Sequence, residues 1–266
     1  MIVSKREIYQ YAFCPEKHRL QYVKKVDVPP TREMVLGVLL HTTREILGKE
    51  EYSILKKVKE DFSFKDILKE YESREKYLFE LAMKKKASLV HRLSEEDLDF
   101  AREDLHLLLY EKALRAKRVL HTHNLREDDL AVYISPPWKY IKYEMKAKKM
   151  NLQGTADLIE HFGSFFYPVE IKTGTPPAEN VFKPDKLETG CVAVLTEDHF
   201  KVPVVVGFVE YTQVWERRPV RIDEKLKTDV IIMRDLILEQ KYPEKGYSKK
   251  CSACEYRGVC WDDSDN

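Results

Sequence analysis

Phe165-Phe166-Tyr167-Pro168-Val169-Glu170-Ile171-Lys172 is a short apolar run that closes on an acid and a base. A run of this length and type suits a strand buried in a sheet. Residues two apart on a strand share a face, so Glu170 and Lys172 project together. Burying an acid and a lysine without purpose is costly. Upstream, Gly154-Thr155-Ala156-Asp157 ends in a second acid, on a strand expected over 153–160. An adjacent strand can bring Asp157 alongside Glu170. Two oxygen ligands on one sheet face make a Mg²⁺ or Mn²⁺ site with open positions for water and phosphate. Such a metal lowers the pKa of bound water and neutralises charge on a scissile phosphate. Lys172 would then orient the water or stabilise developing negative charge.

Working outward, Thr173-Gly174-Thr175-Pro176-Pro177 ends this strand. A helix follows over about 184–199, then an apolar strand over 202–211 and a short one over 219–222. Asp223 caps a last helix to about residue 240. Before the acidic strands, 131–134 and 138–147 read as further strands. Residues 64–118 carry no Gly or Pro and show charged helical periodicity, with Ser94-Glu95-Glu96-Asp97 as a cap between two long helices. A helix over about 32–47 puts Met34, Val38, His41 and Glu45 on neighbouring turns. Ser4 caps a short helix to about Phe13, broken by Pro15. Strands enclosed by helices predict an α/β sheet with helical cover. The expected organisation is a mostly helical region over 1–130 with a long lobe at about 50–121, a core sheet over 131–222, and a C-terminal helix with cysteines over 223–266. These form one integrated unit.

The 266 residues are 43% hydrophobic, enough for a substantial core. The 46 basic and 45 acidic side chains nearly cancel, so any nucleic-acid surface must be local. Lys139, Lys142, Lys146, Lys148 and Lys149, with Trp138, Tyr140 and Tyr143 among them, offer one. On a strand the lysines would track a phosphate backbone and the aromatics stack on bases. No apolar run approaches a membrane span, and Met1–Glu7 lacks the apolar stretch of a signal peptide. The expected location is cytoplasmic, with no membrane partner. Thiols stay reduced there, and clustered cysteines favour metal over disulfides.

Three cysteines crowd the end of the chain as Cys251-Ser252-Ala253-Cys254-x5-Cys260, and a fourth, Cys14, precedes Pro15. Only a fold that joins the first and last segments could bring Cys14 to the others. Four thiolates around one centre suit Zn²⁺ or an iron–sulfur cluster, and spacing alone does not separate them. Cys191, in an apolar helical stretch, reads as a core residue.

In order, Gly37-x3-His41, Gly154-x2-Asp157, Glu170-x-Lys172 and the split four-cysteine set occur together, after the opening Tyr9-Gln10-Tyr11-Ala12-Phe13-Cys14-Pro15. This set resembles the RecB-like nucleases of the PD-(D/E)xK superfamily that carry an iron–sulfur cluster. It looks most like the CRISPR-associated exonucleases of the Cas-four type. The resemblance implies a restriction-endonuclease-like central mixed sheet flanked by helices, with a helical N-terminal extension. It implies that His41, Asp157, Glu170 and the Ile171 backbone carbonyl hold Mg²⁺ or Mn²⁺, that Lys172 is catalytic, and that Cys14, Cys251, Cys254 and Cys260 hold a [4Fe–4S] cluster. The implied activity is exonucleolytic trimming of DNA, single-stranded or with single-stranded ends, beside the Cas integrase and its small partner subunit. The chain departs from the family at a Gln-x3-Tyr pair, where Glu188 and Val192 stand. Glu188 would bring negative charge beside the DNA. Two readings remain beside this one: an iron–sulfur scaffold without catalysis, and a DNA-repair nuclease of the same fold.

Overall fold

The computed structural model describes residues 1–123, 127–135 and 140–261. It falls into two compact units, one of Met1–Thr31 with Lys142–Asn266, the other of Arg32–Ile141.

The first unit carries the sheet. Its strands are β1 (Val3–Ser4), β2 (Tyr140–Ala147, entering the unit at Lys142), β3 (Leu152–Phe162), β4 (Phe165–Lys172), β5 (Val206–Tyr211) and β6 (Glu216–Arg221). The order is β1-β3-β4-β5-β6, and β2 also pairs with β3. β1 runs parallel to β3 and β4 parallel to β5, while the β3–β4 and β5–β6 pairs are antiparallel. The sheet is therefore mixed, and helices α1 (Lys5–Phe13), α9 (Lys183–Phe200) and α10 (Glu224–Leu238) pack around it. Parallel β4 and β5 need a crossover, and α9 supplies it. β4 matches its expected bounds, α9 and α10 come within two residues of theirs, and β5 starts four residues later than the apolar run suggested.

Local chemistry fixes the helix starts. Ser4 and Glu7 form a capping box at α1, with Ser4 N–H donating to Glu7 Oε2 at 2.8 Å. Cys14 ends α1 in an extended conformation, as Pro15 requires of its predecessor, and caps the short α2 (Pro15–His18). Asp223 caps α10. α9 lies close to the sheet because Gly207 carries no side chain: a Cβ there would sit 2.7 Å from Thr189 Cγ2.

The second unit is helical: α3 (Arg32–Leu55), α4 (Phe64–Glu72), α5 (Glu75–Lys85), α6 (Ala87–Val90), α7 (Glu95–His123) and α8 (Glu127–Ile134). Leu39, Leu47, Ile54, Tyr71, Leu78, Leu105 and Leu109 are fully buried in its core. Arg44 bridges α3 to α7 with a two-pronged contact to Asp104 at 2.6 and 3.0 Å. Ser94 and Asp97 cap α7 as expected.

Three expectations are corrected here. Residues 131–134 are helix, not strand. Leu130, Ala131 and Ile134 are buried while Val132 and Tyr133 are exposed, a helical spacing that packing imposes over the β propensity of Val and Ile. The stretch before the Ser94 cap is three shorter helices rather than one long one. α4 stops at Ser73, where the Ser73 hydroxyl donates to Glu70 O at 2.7 Å, and α5 starts at Glu75. Strict strand alternation fails at Lys142, whose φ of 51° is left-handed, so β2 does not present its lysines on regular faces. Trp138 and Lys139 lie outside the described residues. Among the described residues no helix is long and apolar enough to cross a membrane.

The first and last segments of the chain meet in the sheet unit. Tyr11 Oη–H donates to the Lys241 carbonyl, Lys17 pairs with Glu255 at 2.7 Å, and Lys250 Nζ donates to Phe13 O at 3.2 Å. At their centre His18 is 1% exposed and stacks between Tyr22 and Tyr242. Burial lowers its pKa from 6.5 to about 4. The unfolded chain takes up this proton below pH 6.5, whereas the folded one resists until about pH 4. The stability contributed by neutral His18 is complete above pH 6.5 and is lost as pH falls toward 4. His18→Phe keeps the stacking, so its urea midpoint is expected to fall less between pH 7 and pH 4 than that of the wild type.

Candidate active site

The Leu158↔Val169 register sets Asp157 of β3 beside Glu170 of β4. Both are buried, at 7% and 1% exposure. Lys172 projects from the same face of β4 as Glu170, as the spacing of two requires. α9 adds Asp185 and Glu188, three residues apart and so on one helix face. α1 adds Lys5 and Tyr9.

Three ammonium groups answer these four carboxylates. Lys5 Nζ lies 2.6 Å from Glu170 Oε2, 3.5 Å from Glu188 Oε1 and 4.0 Å from Asp157 Oδ1. Lys142 Nζ lies 2.6 Å from Asp157 Oδ1, and the Ile171 N–H donates to Asp157 Oδ2 at 3.0 Å. Lys172 Nζ lies 2.5 Å from Glu188 Oε2 and 3.3 Å from Asp185 Oδ1, with the Tyr9 ring 4.4 Å away. Tyr211 donates to the other oxygen of Asp185 at 2.9 Å. Glu170 Oε1 is buried with no hydrogen-bond partner.

The electrostatics follow from burial and from charge order. Burial, then the Asp157 charge, pushes the Glu170 carboxyl well above its usual range despite Lys5. Burial also pushes Glu188 up, but Lys172 and Lys5 outweigh it and hold its pKa low. Burial lowers Lys5 and Lys172, and the surrounding carboxylates overcome it, so both are raised and stay charged. Burial raises Asp185 against the pull of Lys172. Four carboxyl groups face three ammonium groups, and the orphaned oxygen of Glu170 is left over as a donor for a cation. Oxygen donors of this kind suit Mg²⁺ or Mn²⁺. The carboxylates turn to lysines, and among the described residues no group of three or more His, Cys, Asp or Glu is arranged to hold a metal ion.

Asp157, Glu170, Lys172 and Glu188 thus converge. His41 is a partly exposed residue of α3 in the helical unit. Lys142, read from sequence as a DNA contact, turns inward to Asp157, while Lys146 and Lys148 are exposed. Tyr140 opens β2, and Tyr143 packs against His199 and Phe200. The sequence reading missed Lys5, Tyr9, Asp185 and Tyr211. Only Asp185 carried a signal, its spacing of three from Glu188.

The cysteines behave as a second group. Cys14 ends α1, Cys251 lies in a 3₁₀ turn (Lys249–Ala253), Cys254 follows it, and Cys260 is on α11 (Arg257–Trp261). All four are partly exposed free thiols, whereas Cys191 is buried as expected. Burial raises Cys254 and Cys260, with the charge of Cys14 a lesser cause in each. The Ser248 N–H holds Cys251 low.

Lys172→Met strands Glu188 and Asp185 in a buried site, which is expected to cost about 3–5 kcal/mol. Urea denaturation measures it, and adding Glu188→Leu is expected to recover a good part of the loss.

No curated protein matches the sequence at a meaningful level. A family profile described as the PD-(D/E)XK nuclease superfamily matches residues 3–261. That span includes the carboxylate–lysine site and all four clustered cysteines. Members of the superfamily are generally nucleases that use divalent metals such as Mg²⁺ or Mn²⁺. The mixed sheet, its helical cover and the full-length match place the chain in the PD-(D/E)XK nuclease superfamily.

Proposed function

We propose that this protein is a divalent-metal-dependent DNA exonuclease with a [4Fe–4S] cluster, and that it trims prespacer ends in CRISPR adaptation beside the Cas integrase and its small partner subunit. The observation that carries the nuclease reading is the convergence of Asp157, Glu170 and Lys172 on one buried sheet face. The finer role rests on the resemblance of the ordered motifs to the Cas-four type.

Asp157 and Glu170 would hold the metal, joined by the Ile171 carbonyl. When bound, it supplies an acidified water and neutralises phosphate charge. The chain's own residues do the rest. Glu188 and Asp185 hold the Lys172 ammonium, and Tyr211 fixes Asp185. Lys172 is thereby kept charged to orient the attacking water or to take up charge on the phosphate. Exposed Lys146 and Lys148 are the DNA-tracking cations of β2 and its following turn. Glu188, where the family has Gln, is occupied by Lys172 and so adds less free negative charge near DNA than its position alone suggests.

Cys14, Cys251, Cys254 and Cys260 are the cluster ligands in this reading. Supporting it are their free thiols, the effect of the Cys14 charge on Cys254 and Cys260, and the contacts that join the first and last segments.

Two outcomes test these proposals. Asp157→Asn and Glu170→Gln are expected to cut Mn²⁺-dependent degradation of single-stranded DNA by about a hundredfold or more, since positioning and charge stabilisation dominate such reactions. Both should lose Mn²⁺ binding, whereas Lys172→Gln should lose activity and keep it. Unchanged rates in the two acid variants would favour the non-catalytic scaffold. For the cluster, anaerobically purified protein is expected to contain iron and sulfide. Cys14→Ala should lose them and unfold earlier, because the cluster clips a loop of nearly the whole chain, and Cys191→Ala should retain them. Stoichiometric zinc without iron would overturn the assignment.

A further inference from the structure

We infer that Lys5 is the resident cation of the carboxylate site, so that a divalent metal enters by displacing its ammonium and Lys5 sets the site's metal affinity. The inference rests on the metal-site reading proposed above and extends it to a residue outside the family motifs quoted for that site.

Position is the first argument. The Lys5 ammonium reaches three carboxylates at once: Glu170 at 2.6 Å, Glu188 at 3.5 Å and Asp157 at 4.0 Å. Two of these are the acids assigned to the metal. A small divalent cation binds carboxylate oxygen at about 2.1 Å, so it would lie within about 5 Å of Nζ if both stayed on Glu170 Oε2. Two cations that close in a buried site repel strongly. One must leave, and the lysine is the one on a flexible stem.

Construction is the second argument. Lys5 is the first residue of α1, and the capping box of Ser4 and Glu7 fixes where that helix begins. Its stem lies against Gly154, the glycine of the Gly154-x2-Asp157 motif. A Cβ at Gly154 would come 3.0 Å from Lys5 Cβ, 3.1 Å from Lys5 Cγ and 3.2 Å from Leu195 Cδ1. The bare backbone at Gly154 is therefore the seat of the Lys5 stem. The lysine side chain is 12% exposed, so it is part of the site rather than a surface group folded over it.

Lys5 is distinct in this from Lys172, which is held away from the acid pair by Glu188 and Asp185. In the metal-free protein Lys5 is the cation held on Glu170, and it stands second to Lys142 beside Asp157. Metal binding must then compete with an internal ion pair, which weakens it in proportion to the differential stabilisation of the two states.

The test is a Mn²⁺ titration, followed by electron paramagnetic resonance and calorimetry, on the full chain and on its Lys5→Met and Lys5→Gln variants. Lys5→Gln keeps a hydrogen-bond donor to Glu170 without the charge, and so serves if Lys5→Met does not fold. Both variants are expected to bind Mn²⁺ about tenfold or more tightly than wild type, the scale of one removed neighbouring charge. They should also melt at lower temperature than wild type without metal and gain more from saturating Mn²⁺. Equal or weaker affinity in the folded variants overturns the inference. If wild type binds Mn²⁺ and Glu170→Gln abolishes it, the metal site stands whatever Lys5 does. Absence of Mn²⁺ binding in wild type and in both Lys5 variants overturns the metal site and the inference together.

Discussion

A cluster of buried charges governs the sheet unit. Four carboxylates, Asp157, Glu170, Asp185 and Glu188, meet three lysines at positions that admit little water. Desolvating any one of these groups alone would cost several kcal/mol, about what a domain has to spare. They persist because each is met by opposite charge from another element: α1 against β4, β2 against β3, β4 against α9. The sheet register, the close approach of α9 at Gly207 and the start of α1 at Ser4 all serve that balance.

Helix α1 connects the two chemically distinct parts of the unit. Lys5, at its first residue, enters the carboxylate cluster, and Tyr9, one turn on, lies over the Lys172 ammonium. Cys14, at its end, caps the short α2 where the first and last segments of the chain meet. A nine-residue helix is stiff and only about 14 Å long, at 1.5 Å per residue. The Lys17–Glu255 pair and the stacked His18 hold the same junction through protein contacts alone. The helical unit is organised differently. It has its own apolar core, and its buried charge pair, Arg44 with Asp104, ties α3 to α7 within that core.

The sequence by itself determined the local elements and the identity of the acids. The buried apolar run of Phe165–Lys172, the Ser4, Ser94 and Asp223 caps, and the Cys14-Pro15 break each act within a few residues, so each was legible. Asp157, Glu170 and Lys172 were legible because acid and base in a buried strand demand a reason. Tertiary structure decided the rest. Leu130 and Ile134 became helical because they pack on other helices, not because of their own propensity. Lys142 left the DNA-facing set because a left-handed backbone turn aims it at Asp157. Lys5 stands 165 positions from Glu170 and Tyr211 26 positions from Asp185, and no periodicity joins residues so far apart. Local sequence fixes which groups a strand or helix can offer. Only the packing of elements decides which charge each group will face, because a buried charge is settled by its neighbours in space.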